Sequence, residues 1–169
     1  MSATATRQEG IEVYETPITL TTIKAAITSI TDSTKTVTAA ESGTIFSLNR
    51  AGGITVTLPA AEAGLVFEFH VGTTFTGSMA INNAADTDVL QGTVIMSDKD
   101  DLGIIATNAG NTTAIAKPAA ADHQLVADGD TKGRFLGGHV VYKCITDALW
   151  LVSGTLLQDG VAASPFTGA

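Results

Sequence analysis

Apolar side chains occupy every second position through much of this chain. In Ile54-Thr55-Val56-Thr57-Leu58 aliphatic residues alternate with threonines. From Leu65 to Val71 the pattern returns, with Leu65, Phe67, Phe69 and Val71 set between Val66, Glu68 and His70. Side chains on a strand point alternately to opposite faces, so a period of two predicts two strands, each with one apolar face. Pro59 lacks an amide donor and suits a strand end, and Gly64 suits a turn. The stretch 52–72 is therefore predicted to be a core hairpin that buries Phe67 and Phe69 with Ile54, Val56 and Leu58.

The same pattern marks further strands in "KTVTA", "TIFSL", "SMAIN", "TVIM", "GIIAT", "TAIA", "HVVYKCI" and "LWLVSG". Between them lie turns rich in Gly, Asn and Asp, such as "NRAGG", "NNAADTD" and "DGDTKG". Short strands with frequent turn signals predict an all-β fold, a β-sandwich or small barrel of short antiparallel strands. No fixed repeat of 20–50 residues stands out, which argues against a solenoid. Near the start, Ile23, Ala26, Ile27 and Ile30 have the spacing of a helix face, with Thr22 as an N-cap. The β-branched content of the same residues fits a strand equally well. The chain divides into an N-terminal arm, 1–40, which either carries that one short helix or is extended, and a β-domain, 41–169. "LWLV" is apolar on both faces, which predicts a strand central to a two-layer core or covered by another subunit.

Composition narrows the function. Hydrophobic residues make up 44% of the chain and charged residues 15%, with a net charge of −8. A low charge density suggests that part of the surface is covered by a partner. An acidic balance with no basic stripe opposes nucleic-acid binding. No apolar run approaches the ~20 residues that span a bilayer, and "MSATATRQEG" lacks the apolar centre of a signal peptide. With Cys144 as the only cysteine, an intramolecular disulfide is excluded, in keeping with a soluble protein made in a reducing cytoplasm.

Candidate chemistry is sparse. "DGDTKG" begins like a calcium loop at Asp128 and Asp130, but Lys132 and His139 stand where that loop wants an oxygen ligand and a glutamate. Asp86/Asp88 and Asp98/Asp100/Asp101 read equally well as turn residues, since Asp side chains bond their own backbone in turns. His70, His123 and His139 lie far apart in sequence with no zinc-finger spacing. Cys144 alternates with Val140 and Tyr142 on an apolar face, the position of a structural thiol. Neither a serine nucleophile elbow nor a phosphate loop is present. These readings predict no enzyme, no metal and no cofactor.

"SGTIFSLNRAGGITVTLPAAEAGLVFEFHVG" (42–72) and "GGHVVYKCITDALWLVSG" (137–154) together resemble a β-module common in structural proteins of tailed bacteriophages. That module runs from a Gly-led strand through T-V-x-L-P and A-G-L-x-F-x-F-x-V strands to a valine-rich strand and a W-x-V-x-G strand. The resemblance leaves 1–40 and 90–135 uncovered. It implies a virion protein, and the short, free-standing chain points to a head decoration (cement) protein on the capsid exterior; a tail or fibre subunit is the alternative. It further implies the major capsid protein as partner, a homo-oligomer with a trimer favoured, and an N-terminal arm that clamps neighbouring capsid subunits. The apolar residues of that arm, Ile11, Val13, Tyr14, Ile18, Leu20, Ile23, Ile27 and Ile30, are the candidate contact residues. Neither nucleic acid nor membrane is expected as a partner.

Overall fold

The computed structural model describes residues 25–100 and 113–168. Among the described residues twelve strands are formed: β1 (Ile27–Ile30), β2 (Thr34–Thr36), β3 (Ile45–Leu48), β4 (Ile54–Thr57), β5 (Val66–Val71), β6 (Met79–Asn82), β7 (Val89–Asp98), β8 (Ala114–Ala116), β9 (Gln124–Ala127), β10 (Phe135–Thr146), β11 (Leu149–Gln158) and β12 (Phe166–Thr167). They build two sheets, in the orders β1-β3-β5-β10-β11-β7-β8 and β12-β9-β6-β4-β2. Apolar faces of both sheets share one core, so the fold is an all-β sandwich.

The path of the chain is less simple than a stack of hairpins. From β1 to β6 each successive strand lies in the opposite sheet, and β1 to β4 each pair in parallel with the strand two further on. The chain thus winds three turns of a flattened coil before β7. Equivalent positions fall above one another, giving Phe46 beside Phe69, Val56 beside Ile81 and Thr34 beside Thr55. Ile27 aligns with Ile45 and Ile45 with Glu68, so successive turns differ in length. That irregularity hides the coil from a search for a fixed period.

Strands β10 and β11 then close the coil's open side. β10 pairs antiparallel with β5 and β11, and β11 pairs in parallel with β7. On the other sheet β9 caps β6, antiparallel. The pairing is therefore mixed, and not wholly antiparallel as the turn-rich sequence suggests. Where β10, β11 and β7 run side by side, two glycines permit the fit. A Cβ on Gly92 would lie 2.0 Å from the Val152 carbonyl oxygen and one on Gly154 2.2 Å from that of His139, and φ is +114° and +152° at the two positions.

Three expectations change. The stretch 52–72 is not a hairpin, because β4 and β5 belong to opposite sheets and face each other across the core. Their apolar faces are nonetheless the buried ones, with Ile54, Val56, Leu58, Phe67 and Phe69 all at 1% exposure or less. Residues Ile27–Ile30 are a strand and not a helix, held in register on β3. The division at residue 40 also falls inside the fold. β1 and β2 are members of the two sheets, and Ile30 and Val37 are core residues.

An aromatic chain runs through the core. Phe46 stacks on Phe69 at 5.3 Å, Phe69 meets Tyr142 edge-on at 5.9 Å, Tyr142 meets Trp150 at 6.4 Å, and Trp150 meets Phe67 at 6.0 Å. Each such pair adds about 0.5–1.5 kcal/mol beyond the area it buries. Phe67→Ala, which removes a fully buried ring packed against both Trp150 and Phe46, is expected to destabilise the protein by about 3–5 kcal/mol. Denaturant unfolding of the variant would measure the loss; an unchanged midpoint would contradict the packing described.

Candidate functional site

The two outer faces of the sandwich differ sharply. On the five-stranded sheet, one row across the strands reads Thr34, Thr55, Ala80, Val126, and the next Thr36, Thr57, Asn82, Gln124, Thr167. That face is small, polar and uncharged. On the seven-stranded sheet three outward rows are aligned by the strand registers. The first is Ser29, Ser47, His70, His139, Thr155, Ile95, Ile115; the second Ile27, Ile45, Glu68, Val141, Ser153, Thr93; the third Val66, Lys143, Leu151, Gln91. Glu68 and Lys143 are the only formal charges in these three rows.

Large apolar side chains stand exposed on this second face: Ile27 at 73%, Ile115 at 71%, Ile95 at 44% and Leu151 at 38%. Ile145, at 49%, continues the outward alternation of β10 after Val141 and Lys143. The strands place these residues by simple alternation. Their inward neighbours Leu90, Val94, Met96, Val140, Tyr142, Cys144, Trp150 and Val152 fill the core. Ile95 and Ile115 are cross-strand partners on β7 and β8, while Ile27 stands on the opposite edge strand with serine, histidine and threonine positions between. Exposed apolar side chains on one face are a feature of interaction surfaces.

Several charges on loops and strand ends are paired with one another. Lys35 bonds Glu41 at 2.6 Å, Lys132 bonds Asp128 at 3.0 Å, and Arg134 pairs with Asp130. The "DGDTKG" carboxylates thus meet cations from their own turn. A second acidic group, Asp98, Asp100 and Asp159, gathers at the end of β7. Lys99 bridges Asp100 and Asp159, while buried Asp98 accepts hydrogen bonds from the amides of Asp100 and Gly160. Lys99 thus supplies one positive charge against three carboxylates.

Sequence-predicted contact residues separate in the structure. Ile27 is exposed on edge strand β1, whereas Ile30, at 4%, is packed into the protein's own core and offers no surface to a partner. Ile11, Val13, Tyr14, Ile18, Leu20 and Ile23 lie outside the described residues. Ile95 and Ile115 are not among the candidate contact residues, although the alternation of their strands carries the signal; Leu151 belongs to the "LWLV" run that is apolar on both faces. The structure also brings together two histidines that sequence keeps apart: His70 and His139 are cross-strand partners with stacked rings.

Among the core groups, burial pushes the Cys144 thiol up from its ordinary range, away from the thiolate a nucleophile needs, and its Sγ donates to the Thr146 carbonyl at 3.1 Å. Burial likewise raises Tyr142. No protein-family model matches the chain, and neither a curated protein nor a solved structure matches it.

Two predictions follow from buried polar atoms. Tyr142 Oη is buried with no hydrogen-bond partner among the described residues, and leaving such a group unsatisfied costs about 1–3 kcal/mol. Tyr142→Phe is therefore expected to keep or raise stability, by up to about 1 kcal/mol, measured by denaturant unfolding. Asp88 is 5% exposed, and burial pushes its carboxyl up from the usual range. The folded state therefore holds the proton more tightly than the unfolded chain, so ionisation of Asp88 costs stability at neutral pH and the cost disappears as pH falls. Asp88→Asn should raise the melting temperature at pH 7, and the gain should vanish below about pH 3.9, where the unfolded aspartate is also protonated. Melting curves at the two pH values check this.

Proposed function

We propose that this chain is a structural subunit of a tailed-bacteriophage virion, a decoration protein that binds the outer surface of the head and reinforces the shell. The observation that carries the reading is the broad outer face of the seven-stranded sheet, exposing Ile27, Ile95, Ile115 and Leu151 with few charges among them. Such a face is stabilised when a partner covers it, at about 25 cal/mol per Å² of apolar surface removed from water. The sequence resemblance of 42–72 and 137–154 to phage structural modules supports a virion as the setting, with the major capsid protein as the partner. In this reading the protein is not an enzyme. It acts by adhesion repeated over a symmetric lattice, where weak contacts act together through high local concentration. A homo-oligomer, with a trimer favoured, presents several such faces at once.

The contact surface in this reading is the sheet face together with the segment before β1, in place of an arm extending to residue 40. Sedimentation with purified undecorated heads tests it. Leu151→Lys and Ile95→Lys, on the exposed face, are expected to lower affinity by tenfold or more each, about 1.4 kcal/mol, with melting temperature nearly unchanged. A chain beginning at residue 25 keeps both sheets and is expected to fold. Full head binding by the two lysine variants would reject the face as the contact. Binding to purified tails and not to heads would establish the tail-subunit reading instead.

A further inference from the structure

We propose that His70 and His139 form a surface site for a borderline divalent transition metal ion such as Zn²⁺, with Glu68 as the carboxylate that orients His70. The site belongs to the isolated protein and does not depend on the virion reading. Its first element is register. His70 on β5 and His139 on β10 lie directly opposite each other in an antiparallel pair, both on the outer face. Cβ atoms of such partners are about 4.5–5.5 Å apart, and here the imidazole rings stack with centroids 5.6 Å apart and planes 20° from parallel.

The second element is a proton position. Glu68 Oε1 lies 2.6 Å from His70 Nε2. A carboxylate only accepts hydrogen bonds, so in the neutral imidazole this contact places the proton on Nε2 and leaves the lone pair on Nδ1. A histidine whose one nitrogen donates to a carboxylate while the other faces a metal is the usual form of imidazole ligation, because the carboxylate fixes the tautomer and raises ligand basicity. Metal–imidazole bonds are about 2.0–2.1 Å long. Two rings on facing strand positions can therefore reach one ion once a ring turns about its Cβ–Cγ bond, a broad and soft torsion.

The third element is access and charge. The side chains of His70 and Glu68 are 43% and 34% exposed, so an ion with its remaining waters can enter. No lysine or arginine pairs with Glu68 or with either ring among the described residues. This distinguishes the pair from the Asp98 group, where Lys99 already supplies the positive charge. Nitrogen donors select Zn²⁺, Cu²⁺ or Ni²⁺ over Mg²⁺ or Ca²⁺. Two protein ligands leave further coordination positions open, at the middle of the outer face.

The experiment is calorimetric titration of the metal-free full chain with Zn²⁺, paired with imidazole ¹⁵N spectra. One ion per chain is expected, with shifts at His70 and His139 and none at His123. His70→Ala and His139→Ala, both on the solvent face and expected to melt like wild type, should each weaken binding by tenfold or more. Glu68→Gln should weaken it by about 10–100-fold, the range for loss of an orienting partner. Mg²⁺ at the same concentrations should not bind. The site is overturned if wild type takes up no Zn²⁺, if either histidine variant titrates like wild type, or if the shifts appear at His123. Unchanged affinity in Glu68→Gln would overturn the orienting role given to the carboxylate.

Discussion

The pairing of β5 with β10 joins two halves of different construction, and most of the structure's features depend on it. On one side of that seam is a parallel coil wound from β1 to β6; on the other is a set of long strands, β7, β10 and β11, whose neighbours run in both directions. Without β10, the β5 edge of the coil would expose a row of unpaired amides and carbonyls. With it, Phe67 comes beside Tyr142 and Phe69 beside Val140 on the inner face, which completes the aromatic chain. The outer face gains continuity in the same step. Val141 comes beside Glu68, and His139 beside His70.

This seam also explains what could and could not be read from the residues. Alternation assigns each side chain to a face, and it did so correctly for β4, β5 and β10, because a strand buried on one side repeats every two residues whatever it pairs with. It says nothing about which strand lies alongside. Residues 54–71 contain two alternating runs and a short connection, a pattern that a hairpin and a crossing between sheets share. The decisive information is that β4 finds parallel partners in β2 and β6. Residues 27–30 were ambiguous for a different reason: the isoleucines have helical spacing but β-branched side chains that suit a strand, and β3 supplies the partner that decides. The His70–His139 pair was invisible because it depends wholly on a long-range register.

The contrast between the two outer faces argues that they have different tasks. Exposed threonines on the five-stranded sheet, such as Thr34 and Thr36, can be satisfied by water without attracting a partner, and stacked threonines suit parallel strands through their β-branched shape. The seven-stranded sheet carries isoleucine and leucine at equivalent outward positions. Folding does not require this, since inward residues alone fill the core. A sequence that tolerates Ile27 and Ile115 at more than 70% exposure on the two edge strands of one sheet either carries an aggregation hazard or has a partner for them.

Low charge bears on how such a partner would be held. Charged rims steer association and fix register, but their contributions are screened by salt and are small at exposed sites. Apolar contact has neither weakness, though it gives little orientation by itself. In the outward rows the ionisable groups are Glu68, His70, His139 and Lys143, gathered on β5 and β10 at the middle of the sheet. An adhesive surface built this way would draw its strength from the isoleucines and leucine around it and its orientation from that central polar group. Strength and orientation would then respond to different changes: loss of an outer apolar side chain would weaken every arrangement of the partner alike, whereas loss of a central polar group would loosen the choice among them.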